Sequence, residues 1–344
     1  MRNLARGARA NRAASRGRDG GHPLLPPGRR NARRKPTRMV IATAAVLTAV
    51  AIAMVIGLYG RFAAGKPALP RTYLGVYTAG LPESYAGVSA FTAATGVRPG
   101  LVMYYSGWLE RFQAGFAAEA ARHGAVPVVQ IEPTGVSLAA IAAGRYDAYL
   151  RSYAAAVKAF GNQVILSFGH EMNGYWYSWG YRHTSPAAFV AAWRHVVTVF
   201  RRQGASNVTW LWTANVIDAH GGIPSPARWW PGGSYVNLVG IDGYYRKPGW
   251  TFASLFGPTI KAVRELTLDK ILITETGAVS ALDQPAKIAD LFAGVRAYGL
   301  LGFVWFDAVA RHAVPRNGMR DWRLGGQAAF AAYRRGAQAY RRPS

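Results

Sequence analysis

The stretch "QVILSFGHEMNGYWYSWG", residues 163–180, begins as an apolar run and ends as a crowd of aromatic rings around one histidine and one glutamate. The run is apolar without alternation, as a strand buried on both faces should be. Only 16 of the 344 residues are acids, so Glu171 directly beyond such a strand needs an explanation. A zinc protease would place a second histidine at position 174, and Gly174 stands there. Glu171 therefore has some other job.

Seven more runs share this character: "TYLGVYTAG" (72–80), "LVMYYSGW" (101–108), "AVPVVQIEP" (125–133), "NVTWLWTANV" (207–216), "VNLVGIDGYY" (236–245), "ILITETGA" (271–278) and "LGFVWFDA" (301–308). Amphipathic stretches separate them, among them "LERFQAGFAAEAARHG" (109–124) and "SPAAFVAAWRHVVTVFRRQG" (185–204). Gly124, Gly204 and Gly299 stand where helices end. The connection 217–235, rich in Gly and Pro, has room for a short helix only. Eight β-α units in about 270 residues predict a (β/α)8 TIM barrel over 71–344. The competing architecture, an open doubly wound sheet, often carries a glycine-rich first turn. "TAGLPESYAG" supplies none.

A barrel of this kind puts its chemistry at the C-terminal ends of the strands. Six acids fall there: Glu132, Glu171, Asp218, Asp242, Glu275 and Asp307. Glu171 and Glu275 lie three β-α units apart, on strands four and seven, so they face each other across the barrel mouth. Two carboxylates flanking one bond are what glycoside hydrolysis requires, one as acid and the other as nucleophile or base. Glu132 reads as either a site residue or a structural acceptor, and Asp218 as an ordinary loop acid. Trp108, Trp176, Trp179, Trp212, Trp305, Tyr104, Tyr105, Tyr175, Tyr244 and Tyr245 gather at the same strand ends. Rings with a polar edge suit the apolar faces of sugars. Trp212 and Tyr104 read as packing residues, and Trp176 and Trp305 as ligand-facing ones. His183, His195, His220 and His312 show no ligand spacing.

The remaining sequence bounds the setting. No cysteine is present, which excludes disulfides, cysteine-ligated metals and thiol nucleophiles. Of the net charge of +25, the first 38 residues carry a large part, with twelve Lys or Arg against Asp19 alone. That segment, without apolar periodicity, reads as a disordered basic tail. Residues 39–60 hold no charge, and at 1.5 Å per residue they would span about 33 Å, enough for a bilayer core. They read as a transmembrane signal-anchor, followed by a linker at 61–70, with cleavage near Ala63-Ala64-Gly65 as the alternative. The basic tail places the N-terminus in the cytoplasm and the barrel outside, or secreted after cleavage. The basic tail reads as a topology signal, and nucleic acid is not expected as a partner.

"GHEMNGYWYSWG" together with "ILITETG" about a hundred residues later resembles glycoside hydrolase family 26, a family of retaining β-mannanases and related endoglycanases. The resemblance implies a barrel acting on a polysaccharide without metal or cofactor. It makes Glu171 the general acid/base and Glu275 the nucleophile. It further implies that His170, Trp176 and Trp305 contact sugar at the cleavage point. Tyr244 would hydrogen-bond the nucleophile, with Asp242 beside it as substrate or network partner. β-1,4-Mannan is the leading substrate; mixed-linkage β-glucan and β-1,3-xylan are alternatives, as is a non-hydrolysing carbohydrate-binding barrel at the cell surface.

Overall fold

Eight parallel strands close into a barrel in sequence order: β1 (Leu74–Thr78), β2 (Leu101–Gly107), β3 (Val126–Glu132), β4 (Val164–Phe168), β5 (Val208–Asn215), β6 (Leu238–Asp242), β7 (Lys270–Thr276) and β8 (Phe303–Asp307). The computed structural model describes residues 72–218, 222–310 and 320–340. The expected tail (1–38), membrane segment (39–60) and linker (61–70) lie outside the described residues. No helix among the described residues is long and apolar enough to cross a membrane.

Side chains alternate along each strand between two cores. Leu101 and Met103 of β2 point into the barrel, where they meet Val128, Ile165, Leu211, Leu238, Leu272 and Val304. Val102 and Tyr104 point outward into a larger core beneath the helices. Those helices are α1 (Ala86–Thr95), α2 (Ala114–Arg122), α3 (Leu138–Ala142), α4 (Asp147–Phe160), α5 (Pro186–Gln203), α6 (Phe252–Arg264), α7 (Gln284–Ala297) and α8 (Gly326–Ala339). Helix α5 shows how sequence sets an element. The Ser185 hydroxyl caps its start by accepting from the Ala188 amide at 3.2 Å, and Pro186 fills the first turn. Gly204 ends it at φ +76°, a left-handed position that glycine takes without strain. Between these stops, Phe189, Trp193, Val196, Val197 and Phe200 form the buried stripe. Burying each such side chain contributes about 1.5–3 kcal/mol.

Two expectations are corrected. The helix expected over 109–124 begins only at Ala114, because Leu109 adopts φ +72° and the Glu110 carboxylate accepts from the Gly107 amide at 2.7 Å, folding 107–113 into a loop. Within 217–235 the short helical content expected there is present, as two 3-10 turns, Pro226–Trp229 and Gly233–Tyr235. The second correction concerns Trp305, which does not face the cleft. On β8, Val304 points inward, so Trp305 is turned outward. It is 1% exposed, packs edge-on to Tyr333 of α8 and donates its indole N–H to the Trp322 carbonyl at 3.1 Å. Phe306, one residue on, takes the mouth-facing position, stacked on Tyr77 at 4.6 Å.

Candidate active site

Glu171 stands three residues past β4, on a turn built for it. Gly169 (φ +58°) and Glu171 itself (φ +53°) both occupy the left-handed region. For glutamate that conformation is strained by about 1–3 kcal/mol, and the surroundings must hold it. They do so at several points. The Glu171 amide donates to the Thr213 carbonyl of β5 at 2.9 Å, and the Gly174 amide donates to the Glu171 carbonyl at 2.8 Å. Trp179 donates its indole N–H to the His170 carbonyl at 2.8 Å, with Tyr177 stacked on its ring at 4.2 Å.

The Glu171 carboxylate is 6% exposed and receives two donors. Trp176 Nε1 donates to Oε2 at 2.6 Å, and the Asn215 amide donates to Oε1. Asn215 is itself locked by Asn173, which donates to its carbonyl and accepts from its amide, each at 2.9 Å. Trp176 keeps 37% of its surface exposed, so its ring forms a wall of the mouth while its N–H serves the acid. Burial, followed by the charge of Glu275, pushes Glu171 up to about 8, against the opposing pull of Asn215 and Trp176. Glu171 is thus held protonated through neutral pH.

Glu275 reaches the same spot from β7 by a different route. Strict alternation from the inward-facing Leu272 would turn Glu275 outward. The β6–β7 register skips a residue, with Ile241 opposite Ile273 and Asp242 opposite Glu275, and the β7–β8 pairing shifts beside it. Such a bulge re-aims one side chain. Here it directs the Glu275 carboxylate into the mouth, where Tyr105 donates to Oε1 at 2.6 Å and Tyr244 to Oε2 at 2.7 Å. Burial raises the pKa of Glu275, and the two phenols lower it. Two hydroxyl donors on one carboxylate favour its charged form. The expected bond from Tyr244 is present; Tyr105, grouped with the mouth aromatics only, is the second partner.

Asp242 completes a triangle in which one oxygen each of Glu171, Asp242 and Glu275 lies within 4.8 Å of the others. It is fully buried, neither carboxylate oxygen has a well-formed hydrogen bond, and burial followed by the charges of Glu275 and Glu171, against the weaker pull of the Glu275 backbone N–H, drives its pKa well above the ordinary value. A neutral acid is the form such a position permits. The three oxygens are close enough to hold a cation, and each oxygen of the glutamate pair already accepts one hydrogen bond, from Trp176, Asn215, Tyr105 or Tyr244. The arrangement suits shared protons better.

His170 is buried and neutral, its pKa lowered to about 3 by burial, and its Nε2 shares a 3.1 Å hydrogen bond with the Tyr177 hydroxyl. Glu132 ends β3 with Oε1 4.0 Å from that nitrogen. Burial, then Glu275 and Glu110, lift Glu132 to about 7. Glu132 therefore belongs to the mouth. Asp307 does not: it accepts from the Leu324 amide at 2.6 Å and fixes the chain leading to α8. Asp218 stays in the β5–β6 connection, bridged to Ile223. Trp108, Trp179, Trp212 and Tyr245 are packing residues. His195 pairs with Asp147 at 2.6 Å, and His183 bonds the Tyr175 carbonyl at 2.8 Å; His220 and His312 lie outside the described residues. Asn215, Asn173 and Tyr177 were not singled out from sequence. Asn173 and Tyr177 lie within the motif GHEMNGYWYSWG, and Asn215 stands as a polar residue at the end of the apolar run of β5.

A barrel whose mouth holds two buried glutamates on its fourth and seventh strands, each with its own pair of donors, has the layout of a carbohydrate-active barrel. Residues 130–287 match the model of glycosyl hydrolase family 26. The chain is similar to that family over those 158 residues, a little under half of its 344. It is 26% identical over 272 residues to Endoglucanase H of Acetivibrio thermocellus, covering 74% of this chain and 29% of that protein. It is 30% identical over 95 residues to mannan endo-1,4-beta-mannosidase A and B of Caldalkalibacillus mannanilyticus, covering 26% of this chain and 18% of that one. The chain thus spans less than a third of the length of either relative. Among solved structures, an endo-beta-1,4-mannanase double mutant of Cellulomonas fimi shares the fold with a TM-score of 0.60 at 19% identity, over 78% of this chain and 70% of that one. A family 26 beta-mannanase of Bacteroides ovatus does so with a TM-score of 0.57 at 18% identity, over 81% and 90%.

Proposed function

We propose that this protein is a retaining, endo-acting glycoside hydrolase whose leading substrate is β-1,4-mannan. The observation that carries the reading is the unequal treatment of two equally buried carboxyls. Burial and the neighbouring charge of Glu275 keep Glu171 protonated, while two phenols favour the charged form of Glu275. In the proposed mechanism Glu275 attacks the anomeric carbon as Glu171 gives its proton to the leaving oxygen. Water, deprotonated by Glu171, then releases the sugar from Glu275 and restores both groups. Carboxyl oxygens within 4.8 Å of each other suit this double displacement, which needs a separation of about 5–5.5 Å between the groups. His170 and Trp176, at the lip beside Glu171, and Asp242 and Tyr244, beside Glu275, are the proposed sugar contacts. The test is proton NMR of the first product released from mannan. A β-configured product agrees with retention, and an α-configured one rejects it.

A second substrate is favoured by one specific observation. The longer match, over 272 residues, is to a protein named an endoglucanase, whereas the match to a named mannanase covers 95. Release of reducing ends from a β-glucan, with mannan left intact, would select that reading.

We further propose that residues 39–60 anchor the chain in a membrane with the barrel on the extracytoplasmic side. The uncharged 22-residue length and the basic block before it support this. Recovery of the protein as a soluble secreted species starting near residue 66 would reject the anchor and favour a cleaved signal.

A further inference from the structure

The barrel has two ends, and their charges differ sharply. In this fold each helix runs back towards the N-terminal ends of the strands, so helix C-termini and the loops into the next strand form the base of the barrel. Exposed bases populate that base around its circumference: Arg98 before β2, Arg122 ending α2, Lys158 ending α4, Arg202 ending α5, Lys261 in the last turns of α6 and Arg296 ending α7. Only three acids share it: Glu119, already paired with Arg122, and Glu265 and Asp269 in the loop before β7.

Bases in the last turn of a helix also complement its dipole, which is the simpler explanation. That explanation calls for acids at the helix N-termini as well, and among these helices only α4, with Asp147 in its first turn, and α7, with Asp283 at its N-cap, have one. Dipole matching alone therefore does not account for the ring.

Three further features mark the same end. Leu268, at the tip of the loop between α6 and β7, is 89% exposed, the most exposed large apolar side chain among the described residues. It stands between Lys261 and Lys270 in sequence, and Tyr298, just past the end of α7, adds an aromatic ring at 39% exposure. A concavity of about 390 Å³ opens beside Arg98, Arg122 and His123, with Ser89 and Thr92 on its wall. Finally, the chain enters the barrel at this end, at Tyr73 and Leu74, only eleven residues (61–71) after the apolar stretch 39–60. Eleven residues reach at most about 40 Å when fully extended.

We infer that the base of the barrel is a docking face for an anionic lipid bilayer. The ring of arginines and lysines meets lipid phosphates, Leu268 enters the interfacial layer, and the catalytic mouth points away from the membrane towards its polymer. Attractions of several bases to an anionic leaflet add, so the ring holds an orientation that a flexible linker alone would not. The inference rests on the extracytoplasmic placement proposed above, but its evidence is in the barrel itself.

The experiment exploits the absence of native cysteine. Full-length protein is reconstituted in vesicles with a fluorophore on a single introduced cysteine, either Ala297→Cys at the base or Ser178→Cys at the mouth. Nitroxide-headgroup lipids serve as quencher. In vesicles containing phosphatidylglycerol the base label should be quenched about threefold or more above the mouth label. In pure phosphatidylcholine, or after combined Arg98→Glu, Arg202→Glu and Arg296→Glu, that excess should vanish while the protein still floats with the vesicles. Equal quenching of both labels in anionic vesicles, or an excess unaffected by charge reversal, overturns the inference. So does an excess abolished by a soluble anionic glycerol-phosphate polymer at the ionic strength of the assay, which would make a polymer the preferred occupant. Failure to float with neutral vesicles would sink the anchor reading of 39–60. Lipid-charge-dependent flotation and base quenching would then still support the docking face.

Discussion

Glu171 and Glu275 are equally hidden, at 6% and 5% exposure, yet the two sides of the mouth treat them in opposite ways. The β4 side is a strained loop, stiffened by stacked rings and a reciprocal asparagine pair, that surrounds its acid with an indole and an amide. The β7 side is a bulged strand that presents its acid to two phenols. Burial alone raises both pKa values, so burial does not assign roles. The difference lies in which neighbours offset it: Glu171 also feels the charge of Glu275, while Glu275 is stabilised by Tyr105 and Tyr244. On the proposed reading, two residues of one chemical type take two functions from their donors and their neighbours' charge.

Removing each acid gives the largest expected effect. Glu275→Ala should lose activity on every substrate, by about 10⁴-fold or more, because no covalent intermediate forms. Glu171→Ala should lose polysaccharide cleavage but keep attack on aryl glycosides whose leaving groups need no proton. Added azide should rescue it and yield a β-glycosyl azide, detectable by mass spectrometry. A β-azide from Glu275→Ala instead would reverse the two sides of the comparison.

Removing the donors should sharpen it. Tyr105→Phe or Tyr244→Phe takes a stabilising hydroxyl from Glu275, so the acid limb of the kcat/KM profile should move to higher pH. Asn215→Ala takes an amide from Glu171, whose proton is then held more tightly, so the alkaline limb should move up instead. Each lost bond to a charged or reacting group is worth about 1.5–3 kcal/mol, or roughly 10- to 100-fold in kcat/KM. Movement of the same limb in all three variants would show that the acids titrate as an undivided pair.

Stability should follow pH in a defined direction. Glu132, Glu171 and Asp242 keep their protons in the folded protein above the ordinary carboxyl value, to about 7, about 8 and well above it respectively. The folded state therefore binds more protons than the unfolded chain from about pH 4.5 upward, and stability falls as pH rises through that window. Thermal denaturation should show Tm declining by several degrees between pH 5 and 8. Asp242→Asn should flatten the slope, and an unchanged slope would mean that Asp242 is not the proton holder inferred from its buried carboxyl.

The smallest effects separate the two tryptophans once grouped together. Trp176→Phe should raise KM and shift the alkaline limb while leaving Tm nearly unchanged, since the ring is partly exposed. Trp305→Phe should lower stability by about 1–3 kcal/mol, through lost packing and an unpaired Trp322 carbonyl, with KM unaffected. A KM effect from Trp305 would place it in the cleft after all.

The sequence by itself determined the barrel, because eight doubly buried strands and the glycines and caps between them are local signals repeated along the chain. It also singled out Glu171 and Glu275 as candidates, since an acid at the end of an apolar strand is costly without a use. Tertiary structure decided which way neighbouring side chains face. Trp305 and Phe306 are adjacent and equally aromatic, and only the inward register of Val304 tells which one reaches the mouth. Glu275 reaches the mouth only through a bulge, which depends on pairing with β6 and β8 and leaves no mark in "ILITETG". Tyr105 and Asn215 come from strands two and five, brought to their carboxylates by barrel closure. Likewise, bases scattered from Arg98 to Arg296 form one face only after the helices are wound around the strands. Periodicity is a property of the chain; direction and proximity are properties of the closed barrel.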